Sequence, residues 1–83
     1  MYYTYILYSE KFDQYYIGHC EDLQERLKRH NGERVTSTRR YTPWEIVYFE
    51  EFPTKLEANR RERAIKKMKS RVYIKNLIAK KNL

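Results

Sequence analysis

The sequence predicts a small α+β domain in the order β-β-α-β-α-α, with a three-stranded, largely antiparallel sheet flanked by helices. Three observations predict it. Aromatic and β-branched runs recur at residues 2–8, 15–20 and 44–52, the pattern of strands. The apolar period lengthens to that of helices after Asp22, Thr54 and Ser70, each a residue type suited to an N-cap. A chain of 83 residues has room for one modest core, so residues 1–83 are read as a single domain. No internal repeat, linker or low-complexity stretch interrupts it.

Taken in order, YYTYILY (2–8) forms the first strand, Ser9 to Gln14 is a short polar loop, and Tyr15 to Cys20 returns as the second. If Tyr8 faces Tyr15, then Leu7 faces Tyr16 and Tyr5 faces Gly18. Tyr5, Leu7, Tyr16 and Gly18 then share one face, with open space beside Tyr5 at the glycine. Asp22 with Glu25 reads as a capping-box start, Leu23 and Leu27 set the apolar stripe, and Asn31-Gly32 ends the helix. Residues 33–43 (ERVTSTRRYTP) read as a polar surface loop. Trp44 to Phe52 is the third strand, with Trp44 a core anchor. Pro53 stops it, and Thr54 with Glu57 caps a second helix running to about Lys69. Ser70 caps a last helix whose docking face is Tyr73, Ile74, Leu77 and Ile78.

Composition narrows the function classes. The chain carries 18 basic and 11 acidic residues, a net charge of +7. Nine of the basic residues but only one acid, Glu62, fall in residues 61–83. A basic C-terminal third suits a polyanion, most simply nucleic acid, or is a solvated helix surface. One cysteine excludes a disulfide framework and a multi-cysteine zinc site. No stretch is long and uncharged enough to span a membrane, and the N-terminus lacks the pattern of a signal peptide. A reduced, cytoplasmic protein is the expectation. Thirteen aromatic rings argue against disorder despite 35% charged residues.

Several residues sit where a bland core does not need them. Tyr5 and Tyr16 are diagonal neighbours on one sheet face, as core or as chemistry. Arg26 and His30 border the buried stripe of the first helix, either to hold a phosphate or as stems passing the core edge. Ala58, Glu62 and Ile65 are spaced four and three apart, which puts Glu62 on the stripe facing the sheet. A partly buried acid wants a cation, from an arginine or a metal. His19 and Cys20 adjoin a strand end and read as core or edge residues, without the spacing of a zinc site.

Together these pieces resemble the GIY-YIG nuclease domain. The residues that carry the resemblance are Tyr3-Thr4-Tyr5, Tyr16-Ile17-Gly18, the run Asp22 to His30, and Glu57-Ala58 followed by Glu62, in that order over the whole chain. Thr38 to Tyr48 and Glu57 to Lys66 look most like its short stand-alone branch, related to the N-terminal domain of the excinuclease C subunit and to Slx-type nucleases. Tyr3 and Thr4 stand where the family has Gly and Ile, and Tyr3, on the face of Tyr5, is expected to narrow the groove.

The resemblance implies a metal-dependent endonuclease that hydrolyses DNA phosphodiester bonds, RNA remaining a candidate substrate, with one Mg²⁺ or Mn²⁺. It implies Tyr5 and Tyr16 as the two catalytic tyrosines, Arg26 on the scissile phosphate, His30 close by, and Glu62 as the metal ligand. One tyrosine orients or deprotonates the attacking water and the other binds the phosphate. Tyr5 is given the first task and Tyr16 the second, and the two are interchangeable. Arg34, Arg39, Arg40, Lys66, Lys67 and Lys69 are candidate phosphate contacts, each expected to contribute about one unit to the salt slope of binding. DNA repair or recombination is the expected setting, with recognition by shape or backbone, as a monomer or with a protein partner that supplies specificity. The alternatives are a non-catalytic module that stacks single strands on an aromatic sheet and a subunit of a repair complex.

Overall fold

The computed structural model describes residues 1–81; the last two residues of the expected 1–83 domain lie outside the described residues. It contains β1 (Tyr2–Ser9), β2 (Gln14–Cys20), α1 (Leu23–Asn31), β3 (Glu45–Phe52), α2 (Lys55–Met68) and α3 (Arg71–Lys81), with a single 3-10 turn at Arg39–Tyr41. The order β-β-α-β-α-α and the α+β class are those expected. β1 is the central strand of an antiparallel sheet ordered β2-β1-β3, so the motif strand β2 lies at an edge.

The hairpin register follows from the tyrosine pattern. Tyr8 pairs with Tyr15, Leu7 with Tyr16 and Tyr5 with Gly18. The space at Gly18 is filled rather than open: a Cβ there would lie 2.5 Å from the Tyr5 hydroxyl and 3.2 Å from a Tyr16 ring carbon. Gly18 is what lets the Tyr5 ring lie across β2.

Alternation along the strands splits the core between the two sheet faces. On one face Ile6, Ile17 and Tyr48 pack with Ile65 of α2 and Ile74 of α3; Tyr73, Leu77 and Ile78 join them, completing the docking face expected for α3. On the other, Tyr5, Leu7, Cys20 and Trp44 pack beneath Leu23 and Leu27 of α1. Thr4, which stands where the family has an isoleucine, is fully buried and donates to the Ala58 carbonyl at 2.7 Å, pinning α2 to the central strand.

The caps fall where expected. Asp22 accepts from the Glu25 N–H at 3.1 Å, Thr54 from that of Glu57 at 3.2 Å, and Ser70 from that of Tyr73 at 3.1 Å. The first helix ends at Asn31 with Gly32 as its cap, as expected, and three details are new. Gly32 keeps an ordinary φ of −81° and the positive φ of 61° falls on Glu33; a Cβ at Gly32 would lie 3.0 Å from the Lys28 carbonyl, so it serves close approach. β3 begins at Glu45 because both backbone groups of Trp44 pair with the Asn31 side chain, at 2.6 and 3.0 Å. Finally, residues 33–43 are not all surface, since Thr38 is fully buried.

Candidate active site

Tyr5 comes from the middle of β1 and is 1% exposed. Its hydroxyl meets His30 Nε2 at 3.1 Å, and His30 Nδ1 meets Thr38 Oγ1 at 2.7 Å. His30 is itself 1% exposed, the one fully buried side chain of α1. Burial lowers its pKa to about 4, and the charges of Arg26 and Arg29 push the same way, so the imidazole is neutral near pH 7. Burial and the neighbouring Tyr16 push the Tyr5 phenol well above its ordinary range. The Arg26 guanidinium beside it pulls the other way, by charge and by hydrogen bonding.

Tyr16 shares this face but is only half-buried. Its ring centroid lies 6.4 Å from that of Tyr5 and 5.0 Å from that of His30. Arg26, one helical turn before His30, lines an open groove of about 720 Å³ together with Tyr3, Leu23 and the acidic start of α1. Tyr3 forms one wall of that groove and rests edge-on against Phe49 at 6.0 Å.

Glu62 lies on α2, over the opposite sheet face, and meets His19 of the edge strand β2. Its side chain is 14% exposed and both oxygens are occupied. Oε1 accepts from His19 Nδ1 at 2.6 Å and Oε2 from Lys66 Nζ at 2.6 Å. The same Lys66 ammonium lies 6.0 Å from the Tyr16 ring centroid, linking the carboxylate to the tyrosine face. Burial raises the Glu62 pKa, but hydrogen bonds from Lys66 and His19 outweigh it, and the carboxyl stays below its usual range.

This donor set suits one kind of metal site. Among the described residues no three His, Cys, Asp or Glu side chains cluster, so an all-protein cage is not built. A single carboxylate fits a Mg²⁺-like ion that keeps most of its shell as water and substrate phosphate. Lys66, with half its side chain exposed, is the more exposed of the two partners.

Arg26, His30, Tyr5 and Tyr16 therefore form one group, joined through Lys66 to Glu62. The other candidate phosphate contacts are surface residues. Arg34 is exposed on the outer side of α1's C-terminal end, and Arg39 and Arg40 are exposed on the 3-10 turn. Lys67 is exposed on α2, and Lys69 caps that helix in the left-handed conformation at φ 48°. Two residues at the site were read as bland. His19 lies on the edge strand β2 and is in addition a partner of Glu62. The alternation that aims Tyr16 at α1 aims Ile17 and His19 at α2, which is the signal that finds it. Thr38 had no local signal at all.

Comparison with known proteins agrees with this fold. The GIY-YIG catalytic domain family model matches residues 1–76. The UPF0213 protein CPE1444 of Clostridium perfringens is 44% identical over 69 residues, covering 82% of this chain and 73% of that protein. The UPF0213 protein YazA of Bacillus subtilis is 39% identical over 70 residues, covering 77% and 69%. The solution NMR structure of the UPF0213 protein BH0048 from Bacillus halodurans superposes with a TM-score of 0.58 at 33% identity, over 95% of this chain and 84% of that one. The chain thus belongs to the GIY-YIG catalytic domain family, and its relatives are UPF0213 proteins.

Proposed function

We propose that the protein is a divalent-metal-dependent endonuclease that hydrolyses DNA phosphodiester bonds, in repair or recombination, with recognition by shape or backbone. The observation that carries this reading is Glu62. A partly buried carboxylate held between the His19 ring and the Lys66 ammonium, on the rim that bears Tyr16, hinders a protein that only binds phosphate and serves one that binds a metal beside it. Stacking on an open aromatic sheet is disfavoured, because Tyr5 lies shut beneath α1.

Glu62 would hold the ion through one oxygen once Lys66 moves aside. When bound, Mg²⁺ or Mn²⁺ supplies polarisation of a phosphoryl oxygen and charge for the leaving oxygen. Arg26 presents its planar fork to the equatorial oxygens of the reacting phosphate. Burial divides the tyrosines, and it favours the exchange of their tasks. Tyr16, half-buried and beside Lys66, faces the attacking water; Tyr5, enclosed and bonded to His30, backs the phosphate side. Lys66, once displaced, joins Lys67, Lys69, Arg34, Arg39 and Arg40 as a contact for flanking phosphates.

The two phenylalanine variants test the division on labelled flaps, duplexes and single strands in Mg²⁺, Mn²⁺ or EDTA. Tyr16→Phe is expected to lower single-turnover cleavage about 100-fold or more with DNA affinity kept, as loss of a general base does, and Tyr5→Phe to lower it less. Wild-type rates in both variants would contradict the proposal.

A further inference from the structure

Three buried polar side chains from three separate segments meet in one line: Tyr5 of β1, His30 of α1 and Thr38 of the 33–43 loop, at 1%, 1% and 0% exposure. Burying polar groups is costly unless each is satisfied, so where their protons lie can be worked through. Arg26, beside the Tyr5 hydroxyl, is a donor only, and leaves His30 Nε2 as the acceptor for the phenolic proton. His30 is neutral and has one ring proton, which then sits on Nδ1 and is donated to Thr38 Oγ1 at 2.7 Å. Thr38 in turn donates to the Val35 carbonyl at 3.4 Å. From Tyr5 through His30 and Thr38 to a backbone oxygen every donor points the same way, an arrangement in which each bond strengthens the next.

The far end of the line is clamped. Trp44 Nε1 donates to the Thr38 carbonyl at 3.0 Å, and Asn31, the residue after His30, holds both backbone groups of Trp44. The loop is thereby tied to the same helix end that carries His30, and Thr38 is held at a fixed distance from the imidazole.

We propose that Thr38 is a positioning residue: by fixing His30 as the Nδ1–H tautomer it turns the lone pair of Tyr5 toward Arg26 and aims that guanidinium at the reacting phosphate. The relay aims Arg26 and moves no proton during reaction. The inference rests on the phosphate-binding role proposed above for Arg26, while the relay itself is readable in the free protein.

The test is ¹⁵N NMR of the wild type, Thr38→Val and Thr38→Ser, alongside single-turnover cleavage of a labelled flap in Mn²⁺. The wild type is expected to show His30 with Nδ1 protonated and Nε2 bare, and a resolved Arg26 Nε–H resonance. Thr38→Val is expected to mix the tautomers, broaden the Arg26 resonance and slow cleavage roughly tenfold or more, as misplacement of an orienting group does, with DNA KM unchanged. Thr38→Ser is expected to restore all three. A wild-type His30 protonated on Nε2 would overturn the relay, and this spectrum decides the matter even if Thr38→Val does not fold. An Arg26 resonance and a cleavage rate indifferent to Thr38→Val would overturn the positioning role. Wild-type protein that cleaves nothing, yet shows the expected tautomer and an Arg26 resonance that responds to Thr38→Val, would refute the nuclease reading and leave the relay standing.

Discussion

His30 is neutral in the folded protein, with its pKa lowered by burial from an ordinary 6.5 to about 4. Between those values the unfolded chain binds more protons at this site than the folded one. The stability linked to His30 is therefore fully present above pH 6.5 and is lost as pH falls toward 4. The full difference is about 3 kcal/mol. Urea unfolding at pH 7 and 4.5 is expected to show the wild type losing about 2 kcal/mol more than His30→Gln, whose neutral side chain does not titrate. Equal acid sensitivity in the two proteins would mean that His30 is not buried as a neutral ring. Glu62 is the contrasting case. The hydrogen-bond donors that hold its carboxyl below the usual range are Lys66 of its own helix and His19 of β2, and the Lys66 side chain is half exposed.

Among the elements, β2 does the most to bring the site together, because it is an edge strand. Its Tyr16 and Gly18 face α1 while His19 faces α2, so residues from both sheet faces converge around one rim. Gly18→Ala tests this directly. The new methyl would start 2.5 Å from the Tyr5 hydroxyl, and Tyr5 cannot swing away without breaking its bond to His30. Loss of about 1–3 kcal/mol, the usual cost of overpacking, is expected in thermal or urea unfolding, together with loss of the His30 tautomer. A variant as stable as wild type would mean that the Tyr5 ring does not lie across β2. The hairpin register and the capped helices were legible because each depends on residues a few positions apart: alternating tyrosines, Thr54 with Glu57, Ser70 with Tyr73. The clamp formed by Asn31, Thr38 and Trp44 was not, because it joins residues 6 to 13 positions apart and the loop threonine meets His30 and Trp44 only in the folded chain. Lys66 was read from its charge as a phosphate contact, and only the folded helix reveals its tie to Glu62.

At the scale of the whole molecule, size and charge set what can be recognised. The described residues span 29 × 26 × 24 Å, less than one turn of duplex DNA at about 34 Å. A unit this small has little surface for reading a long sequence, and a net charge of +7 suits the phosphate backbone. Among the described residues no helix is long and apolar enough to cross a membrane. The broad reading, a GIY-YIG fold with Tyr5, Tyr16, Arg26 and His30 in one group, was legible from motif order; the route by which Glu62 joins them, around the β2 edge through His19 and Lys66, was not. The most direct measurement compares wild type with Glu62→Gln on labelled single strands, duplexes, flaps and four-way junctions in Mg²⁺, Mn²⁺ and EDTA, with binding measured alongside. Metal-dependent cleavage by the wild type, abolished in Glu62→Gln while DNA binding is retained, is the predicted result. Binding without cleavage in every metal, unchanged or tightened by Glu62→Gln, would contradict it and identify a protein that holds nucleic acid without cutting it.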